Sequence, residues 1–324
     1  MLYPLTFHPI FKERTWGGRE LERCFGKKLP PGARIGESWE ISDRPGDASV
    51  VANGELAGKS LRWLMEQHAA EILGDATPAA GGRFPLLCKI LDAREKLSLQ
   101  VHPSASTAAE LNGEPKTELW FIAQAGPAAE LFVGLKRGVA RAGFEKKIAD
   151  GSVADAVHRI SVRAGDAMFL PAGRVHAIGG GLVIFEIQQN SDTTYRVFDW
   201  NRVGLDGRPR ELHVAESLAS IDFEDFEPKL VQSRFTTDGN IHKRMLVNGP
   251  LFDVEVWKLK AGATGWLRPN RLQVVAVTEG EVELEADAMA VDLAGGQFGL
   301  VPARLKRTGI SAKSDATLLR VEAK

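Results

Sequence analysis

The run Gly165-Asp-Ala-Met-Phe-Leu-Pro171-Ala172 returns later in the chain as Gly296-Gln-Phe-Gly-Leu-Val-Pro302-Ala303. Each copy is a glycine turn, a short apolar segment of strand length and a Pro-Ala turn, with the punctuating residues in register. The separation suits one small β-domain, so the chain reads as two related β-barrels. The copies diverge just past the proline. The first continues Gly173-Arg-Val-His176, the second Arg304-Leu-Lys-Arg307, which has no histidine. Only the first barrel is therefore expected to hold a metal ion, since the cations of the second run would repel one.

The surrounding texture agrees. Ser49–Ala52, Leu86–Leu91, Leu119–Ala123, Leu182–Gln188, Phe252–Leu259 and Gln273–Val277 are short apolar segments bounded by Gly, Pro, Asn and Asp. That pattern predicts a mainly β chain, two jelly-roll barrels with a few short helices. Ser60–Leu73 carries apolar residues at helical spacing, with Ser60 as N-cap and Gly74 as stop. Phe144–Ile160 reads as two short helices broken at Asp150-Gly151. The acidic stretch Asp222–Glu227 and the polar stretch Asp238–Lys243 place a boundary between a catalytic unit, 1–240, and a degenerate, metal-free unit, 241–324.

The 324 residues are 44% hydrophobic and 26% charged, with a net charge of -1. Nothing in that balance draws the chain to nucleic acid or an anionic membrane, and no apolar run approaches the roughly 20 residues of a membrane helix. Two cysteines, Cys24 and Cys88, rule out a disulfide framework or a cysteine-rich metal site. A reduced, cytoplasmic setting is the simplest expectation.

Four residues offer a metal shell. Gln100 and His102, in Leu97-Ser-Leu-Gln-Val-His-Pro103, share one face of a strand. Glu118 opens an apolar strand, and His176 follows the Pro171-Ala-Gly173 turn. Each alone is an ordinary polar residue, but together two imidazoles, a carboxylate and an amide oxygen suit Zn²⁺, with Mn²⁺, Fe²⁺ or Co²⁺ also compatible. Lys116, two residues before Glu118, shares its face. Glu186 interrupts an apolar strand and needs a partner, either a water at the metal site or an arginine. Arg196, in the extended Thr193–Trp200, needs an anion if it points inward. Arg202 shares its parity if that strand continues. Trp16 and Glu37 are candidates for a pocket wall. His8, His68, His158, His213 and His242 have no such setting.

The Gly165–His176 run resembles a metal-binding cupin motif. Six runs resemble those of type I phosphomannose isomerases of the compact bacterial form. They are Gly36-Glu-Ser-Trp-Glu-Ile-Ser42, Pro85–Ala93, Leu97–Pro103, Pro115-Lys-Thr-Glu-Leu-Trp120, Pro171–Ile178 and Glu186–Asp199. The likeness is close over about residues 1–215, and the remainder is similar to a degenerate cupin. It implies that Gln100, His102, Glu118 and His176 hold one zinc ion per chain. It also implies that Arg196 is the catalytic arginine, that Lys116 and Glu186 lie beside the reacting carbons, and that Ser98 and Arg202 contact a substrate phosphate.

The chemistry implied is interconversion of mannose 6-phosphate and fructose 6-phosphate through a cis-enediol. Lys116, Glu186 or a metal-activated water would move the proton, and Arg196 would stabilise the developing charge. The implied partner is a small sugar phosphate, with no nucleic acid or membrane partner. Rival readings are an isomerase of another, unphosphorylated aldose, a cupin dioxygenase, which a three-histidine set would favour, and a non-catalytic sugar-binding cupin, which loss of Lys116 or Arg196 would favour.

Overall fold

A computed structural model describes residues 2–287 and 289–324. The strands of the first barrel are β1 (Ile10–Gly18), β2 (Ile35–Ile41), β3 (Leu86–Ala93), β4 (Leu99–Val101), β5 (Glu118–Ala125), β6 (Glu130–Leu135), β7 (Val157–Ser161), β8 (Ala167–Leu170), β9 (His176–Ile178), β10 (Leu182–Gln189) and β11 (Tyr195–Phe198). Those of the second are β12 (Thr236–Asp238), β13 (Ile241–Asn248), β14 (Phe252–Leu259), β15 (Thr264–Trp266), β16 (Gln273–Glu279), β17 (Glu281–Ala286), β18 (Met289–Ala294), β19 (Phe298–Val301), β20 (Gly309–Ala312) and β21 (Ala316–Ala323). Five short helices, α1 (Glu20–Phe25), α2 (Leu61–Leu73), α3 (Ala105–Glu110), α4 (Arg141–Asp150) and α5 (Val214–Ser220), lie between strands.

The first barrel pairs a six-stranded sheet, β8-β5-β10-β3-β2-β1, with a five-stranded sheet, β7-β6-β9-β4-β11. The second has β19-β16-β21-β14-β13-β12 against β18-β17-β20-β15. Strand for strand the order is the same, and the repeated Gly-to-Pro runs are β8 and β19. Of the strands in these four sheets, β11 alone has no counterpart in the second barrel. The mainly β, double-cupin architecture thus matches the sequence reading.

The large sheets pack back to back. Cys88 and Ile90 of β3, Leu119 and Phe121 of β5, and Phe185 of β10 share one core with Val254, Val274 and Leu319 of the second barrel. Phe185 stacks on Phe298 with centroids 5.6 Å apart. Alternate residues of the same strands, such as Leu91, Trp120 and Ile184, fill the first barrel's interior. Burial on both faces explains why these strands read as continuous apolar runs, and why one polar residue within such a run stands out.

Helix α2 starts as expected, with Ser60 accepting a hydrogen bond from the Trp63 amide at 3.1 Å. Three local expectations differ. Phe144–Ile160 is not two α-helices. Gly151, at φ 81, ends α4, a 3-10 turn spans Val153–Ala156, and Val157–Ser161 is strand β7. From His158 to Ser161 burial alternates, with half-buried His158 and Ile160 against exposed Arg159 and Ser161, a period of two that overrides the helical reading. The strand carrying Arg196 stops at Phe198, because Trp200 and Asn201 both take φ 55, so Arg202 does not inherit its parity. The charged residues of the Arg304–Arg307 run lie outside the second barrel's interior, with Arg304 paired to Glu71 at 2.9 Å and Arg307 over the Trp266 ring, while Leu305 alone turns into the core.

Candidate metal centre and active-site cavity

His102 follows β4, Glu118 opens β5 and His176 opens β9, and their ligand atoms all lie within 4.8 Å of one another. All three residues are buried. His102 Nδ1 bonds the Thr193 carbonyl at 3.0 Å and His176 Nδ1 bonds the Arg174 carbonyl at 2.8 Å. Each ring is thereby fixed with Nε2 turned toward Glu118, the way backbone carbonyls orient metal-ligating imidazoles. The Nε2 atoms sit 3.5 and 3.4 Å from the two Glu118 oxygens. Gln100 pairs with His176 across the ladder, and its amide lies 3.3 Å from His176 Nε2.

His102 Nε2 and both Glu118 oxygens are buried without a hydrogen-bond partner. Lys116 Nζ does stand 2.8 Å from Glu118 Oε2, but as an ion pair without hydrogen-bond geometry. Unpaired buried polar atoms cost roughly 1–3 kcal/mol each, more when charged, so three converging ones mark a place for a cation. Their protonation suits it. Burial, reinforced by Lys116, lowers the His102 pKa to about 4, and burial also lowers His176. Burial opposes ionisation of Glu118, yet Lys116 and His102 outweigh it and hold the carboxyl well below its usual range. Neutral imidazoles and an ionised carboxylate are the forms a divalent metal needs, so these residues fit one.

Above the cluster opens a cavity of about 580 Å³ lined by Trp16, Glu37, Ser98, Gln100, Lys116, Glu186 and Arg196 among others. The close approach of β1 to β2 brings Trp16 in, since a Cβ on the next residue, Gly17, would collide with the Gly36 backbone. A larger cavity, about 820 Å³, opens between the barrels near Phe11 and Phe298. Its half-buried Lys27 and buried Glu40 are paired to each other at 2.7 Å, and Gln100 and Lys116, the cluster's neighbours that line the smaller cavity, are not among its walls.

Glu186 does not meet an arginine. Trp120 Nε1 donates to its Oε1 at 2.8 Å, and Lys89 Nζ stands 3.3 Å from its Oε2. Lys89 also faces Glu37 at 3.6 Å. Burial would lower the Lys89 pKa, but Glu186 and Glu37 outweigh it and raise it. Glu37 accepts from Trp39 Nε1 at 2.7 Å and Arg14 Nε at 2.6 Å. Burial opposes its ionisation, but Lys89 and Arg14 bring its pKa down to about 2. The sequence reading passed over Lys89, and its signal was a lysine inside the apolar run Pro85–Ala93. Of the others that line the cavity, Asp192 and Arg210 sit in loops, and Arg14 sits inside β1 where the register shifts at Glu13, so no periodicity marks them.

Arg196 pairs with Gln100 across the β11–β4 ladder. Its Nη1 bonds the Glu211 carbonyl at 2.7 Å and its buried Nε has no partner. Among the described residues no carboxylate pairs with it, and burial together with Arg210 lowers its pKa. Arg202 is not among the cavity walls. Its guanidinium is spent on the Lys96 carbonyl and on Asp199, at 2.8 Å.

A double-barrel fold with a buried His-Glu-His cluster under a polar cavity defines a cupin enzyme. Residues 5–118 match the family model for the phosphomannose isomerase type I catalytic domain. The probable mannose-6-phosphate isomerase GmuF of Bacillus subtilis is 37% identical over 265 residues, covering 81% of this chain and 82% of that protein. The mannose-6-phosphate isomerase of Streptococcus mutans is 34% identical over 307 residues, covering 94% of each chain. The crystal structure of the Bacillus subtilis mannose 6-phosphate isomerase superposes with a TM-score of 0.90 at 32% identity, over 99% of both chains. The chain belongs to the type I phosphomannose isomerase family, enzymes of the aldose–ketose isomerase class.

Proposed function

We propose that the enzyme interconverts mannose 6-phosphate and fructose 6-phosphate through a cis-enediol, with one zinc ion per chain held by His102, Glu118, His176 and Gln100. The observation that carries this reading is the set of three buried, unpaired ligand atoms beneath a cavity walled by Lys116, Glu186 and Arg196. Two imidazoles, one carboxylate and one amide suit zinc with a position left open. When bound, zinc supplies Lewis acidity toward the substrate oxygens at C1 and C2 without redox chemistry.

The chain's own groups do the rest. Glu186 Oε2 and Lys116 Nζ stand at the cavity walls, and one of them carries the proton between C1 and C2. Arg196, half-buried, offers Nε and Nη2 to negative charge developing on O1 and O2. Trp16 shields one wall from water. Ser98 faces the phosphate end. The first barrel forms the catalytic unit and the second, from β12 (Thr236–Asp238) onward, a metal-free supporting unit. The free thiols of Cys24 and Cys88 support a cytoplasmic setting, and no helix of the described residues is long and apolar enough to cross a membrane.

The test is an isomerase assay on mannose 6-phosphate and on mannose, in heavy water, with metal analysis beside it. The reading expects turnover of the phosphorylated sugar and deuterium at C1 of the fructose 6-phosphate formed. Turnover with strictly no solvent exchange would point to a hydride shift and remove the enediol. Absence of turnover in the zinc-loaded protein would remove the function.

A further inference from the structure

We infer that Arg210, oriented by Asp199, is the specificity-determining residue that grips the substrate's phosphate, in the role that Arg202 would take from the family resemblance. The inference rests on the isomerase reading and adds to it a residue and its geometry. The cavity has a chemical direction. Gln100 and Arg196 face each other across the β4–β11 ladder beside His176, so the reacting carbons belong there. Ser98 lies two residues back along β4, about 7 Å away at the usual strand rise. That is comparable with the reach from C2 of a six-carbon chain to its terminal phosphoester. Ser98 is buried, lines the cavity, and its hydroxyl has no hydrogen-bond partner among the described residues.

Arg210 reaches that end through Asp199, whose other arginine, Arg202, bonds the Lys96 carbonyl two residues before Ser98. Arg210 lines the cavity, whereas Arg202 does not. Nε of Arg210 donates to Asp199 Oδ2 at 2.7 Å, and Nη2 donates to Asp199 Oδ1. This fork fixes the guanidinium plane and leaves Nη1 without a partner among the described residues. Arg202 is committed elsewhere, with Nη1 on the Lys96 carbonyl, Nη2 on Asp199, and Nε toward the Asp199 carbonyl. Asp199 therefore stays paired through Arg202 even when Arg210 is replaced. Between the two arginines the chain makes a small hairpin, with Val203 bridged to Pro209 and Gly204 N bonded to the Arg208 carbonyl at 2.6 Å. It presents Gly204 and Leu205 to the cavity mouth. Asp206 also lines the mouth, but its Oδ1 is engaged by the Arg208 amide at 3.0 Å. A planar, pre-oriented guanidinium suits a tetrahedral dianion better than a flexible ammonium does.

The experiment compares Arg210→Gln and Arg210→Lys with the zinc-loaded parent enzyme. KM and kcat are read for mannose 6-phosphate and for mannose, and binding of inorganic phosphate is read by calorimetry. Loss of a charge-assisted contact present in both ground and transition states predicts a KM for the phosphorylated sugar raised on the order of 10- to 100-fold with kcat largely kept. Phosphate affinity should fall in parallel, while turnover of mannose stays as in the parent. Arg210→Lys should recover part of the loss, and Arg202→Gln should raise KM less than Arg210→Gln does. Unchanged phosphate affinity in a folded Arg210→Gln would overturn the assignment, as would an equal loss on both sugars, which would mark a structural role through Asp199. Failure of the isomerase reading looks different, because the parent itself would then be inactive whatever its phosphate affinity.

Discussion

At the rung where the first barrel sets Glu186 opposite Lys89, the second barrel sets Arg320 opposite Glu255. The ladders are equivalent. Glu118 pairs with Leu170, just before Pro171, and with Gln188, and Gln273 pairs with Val301, just before Pro302, and with Glu322. One fold thus carries opposite polarity at matched positions. In the second barrel the buried charges at these rungs are closed on neighbours. Arg320 is 1% exposed, yet it donates to Gln273 at 2.7 Å, to Glu255 at 3.0 Å, and to Glu322. Gln273, at the place of Glu118, is used up by Arg320 and the Arg268 carbonyl. In the first barrel His102 Nε2 and both Glu118 oxygens have no hydrogen-bond partner, although Lys116 stands 2.8 Å from Glu118. The strand that supplies Arg196, β11, has no counterpart in the second barrel. The difference teaches that the chemistry resides in polar groups left open within the barrel, since the barrel itself is common to both halves.

The comparison breaks most sharply at the metal shell. His176→Ala should abolish metal binding and lower isomerase activity by about 10³-fold or more, since the main electrophile is lost; elemental analysis and kinetics read it out, and retained metal would move the site elsewhere. Arg196→Ala should lower kcat on the order of 10²–10³ in a folded, metal-loaded enzyme. A rise in KM with kcat kept would make it a phosphate grip instead.

Arg320→Met tests the other half. Removing one member of a buried ion-pair network costs about 3–5 kcal/mol, so thermal or urea unfolding should show a large loss. The folded fraction should keep the parent kcat, and a fall in kcat would tie the second barrel to the chemistry. The smallest effect concerns Glu37. Its folded pKa of about 2 lies below its ordinary value, so its stabilisation is full above that ordinary value and is lost as pH falls through about 2. At neutral pH this amounts to roughly 3 kcal/mol. Glu37→Gln should flatten the acid limb of stability against pH, and an unchanged limb would show that its partners do not depend on its charge.

The barrels were legible because Gly165–Ala172 and Gly296–Ala303 punctuate a strand with turn residues that mean the same thing in any context. His102, Glu118 and His176 could be singled out as candidates because polar residues at the ends of apolar strands, close to Pro turns, have few places to go but inward. The partner of Glu186 was not legible. A buried carboxylate announces only that it needs a cation, and which strand supplies it depends on a register that sets β3 beside β10. Arg202 shows the converse. Its parity depended on a strand that two left-handed residues, Trp200 and Asn201, bring to an end, and neither is a glycine that would have flagged the turn. The second barrel's interior arginine was equally hidden, because the visible cations of Arg304–Arg307 drew attention to a surface run.

The central claim is that one divalent metal in the first barrel makes this cupin an isomerase. The direct measurement is mannose 6-phosphate isomerase activity of chelator-stripped enzyme titrated with zinc, with bound metal counted at each point. Activity should vanish on stripping and return linearly to a plateau at one metal per chain. Full activity in metal-free enzyme, or a plateau that requires two metals per chain, would contradict the account.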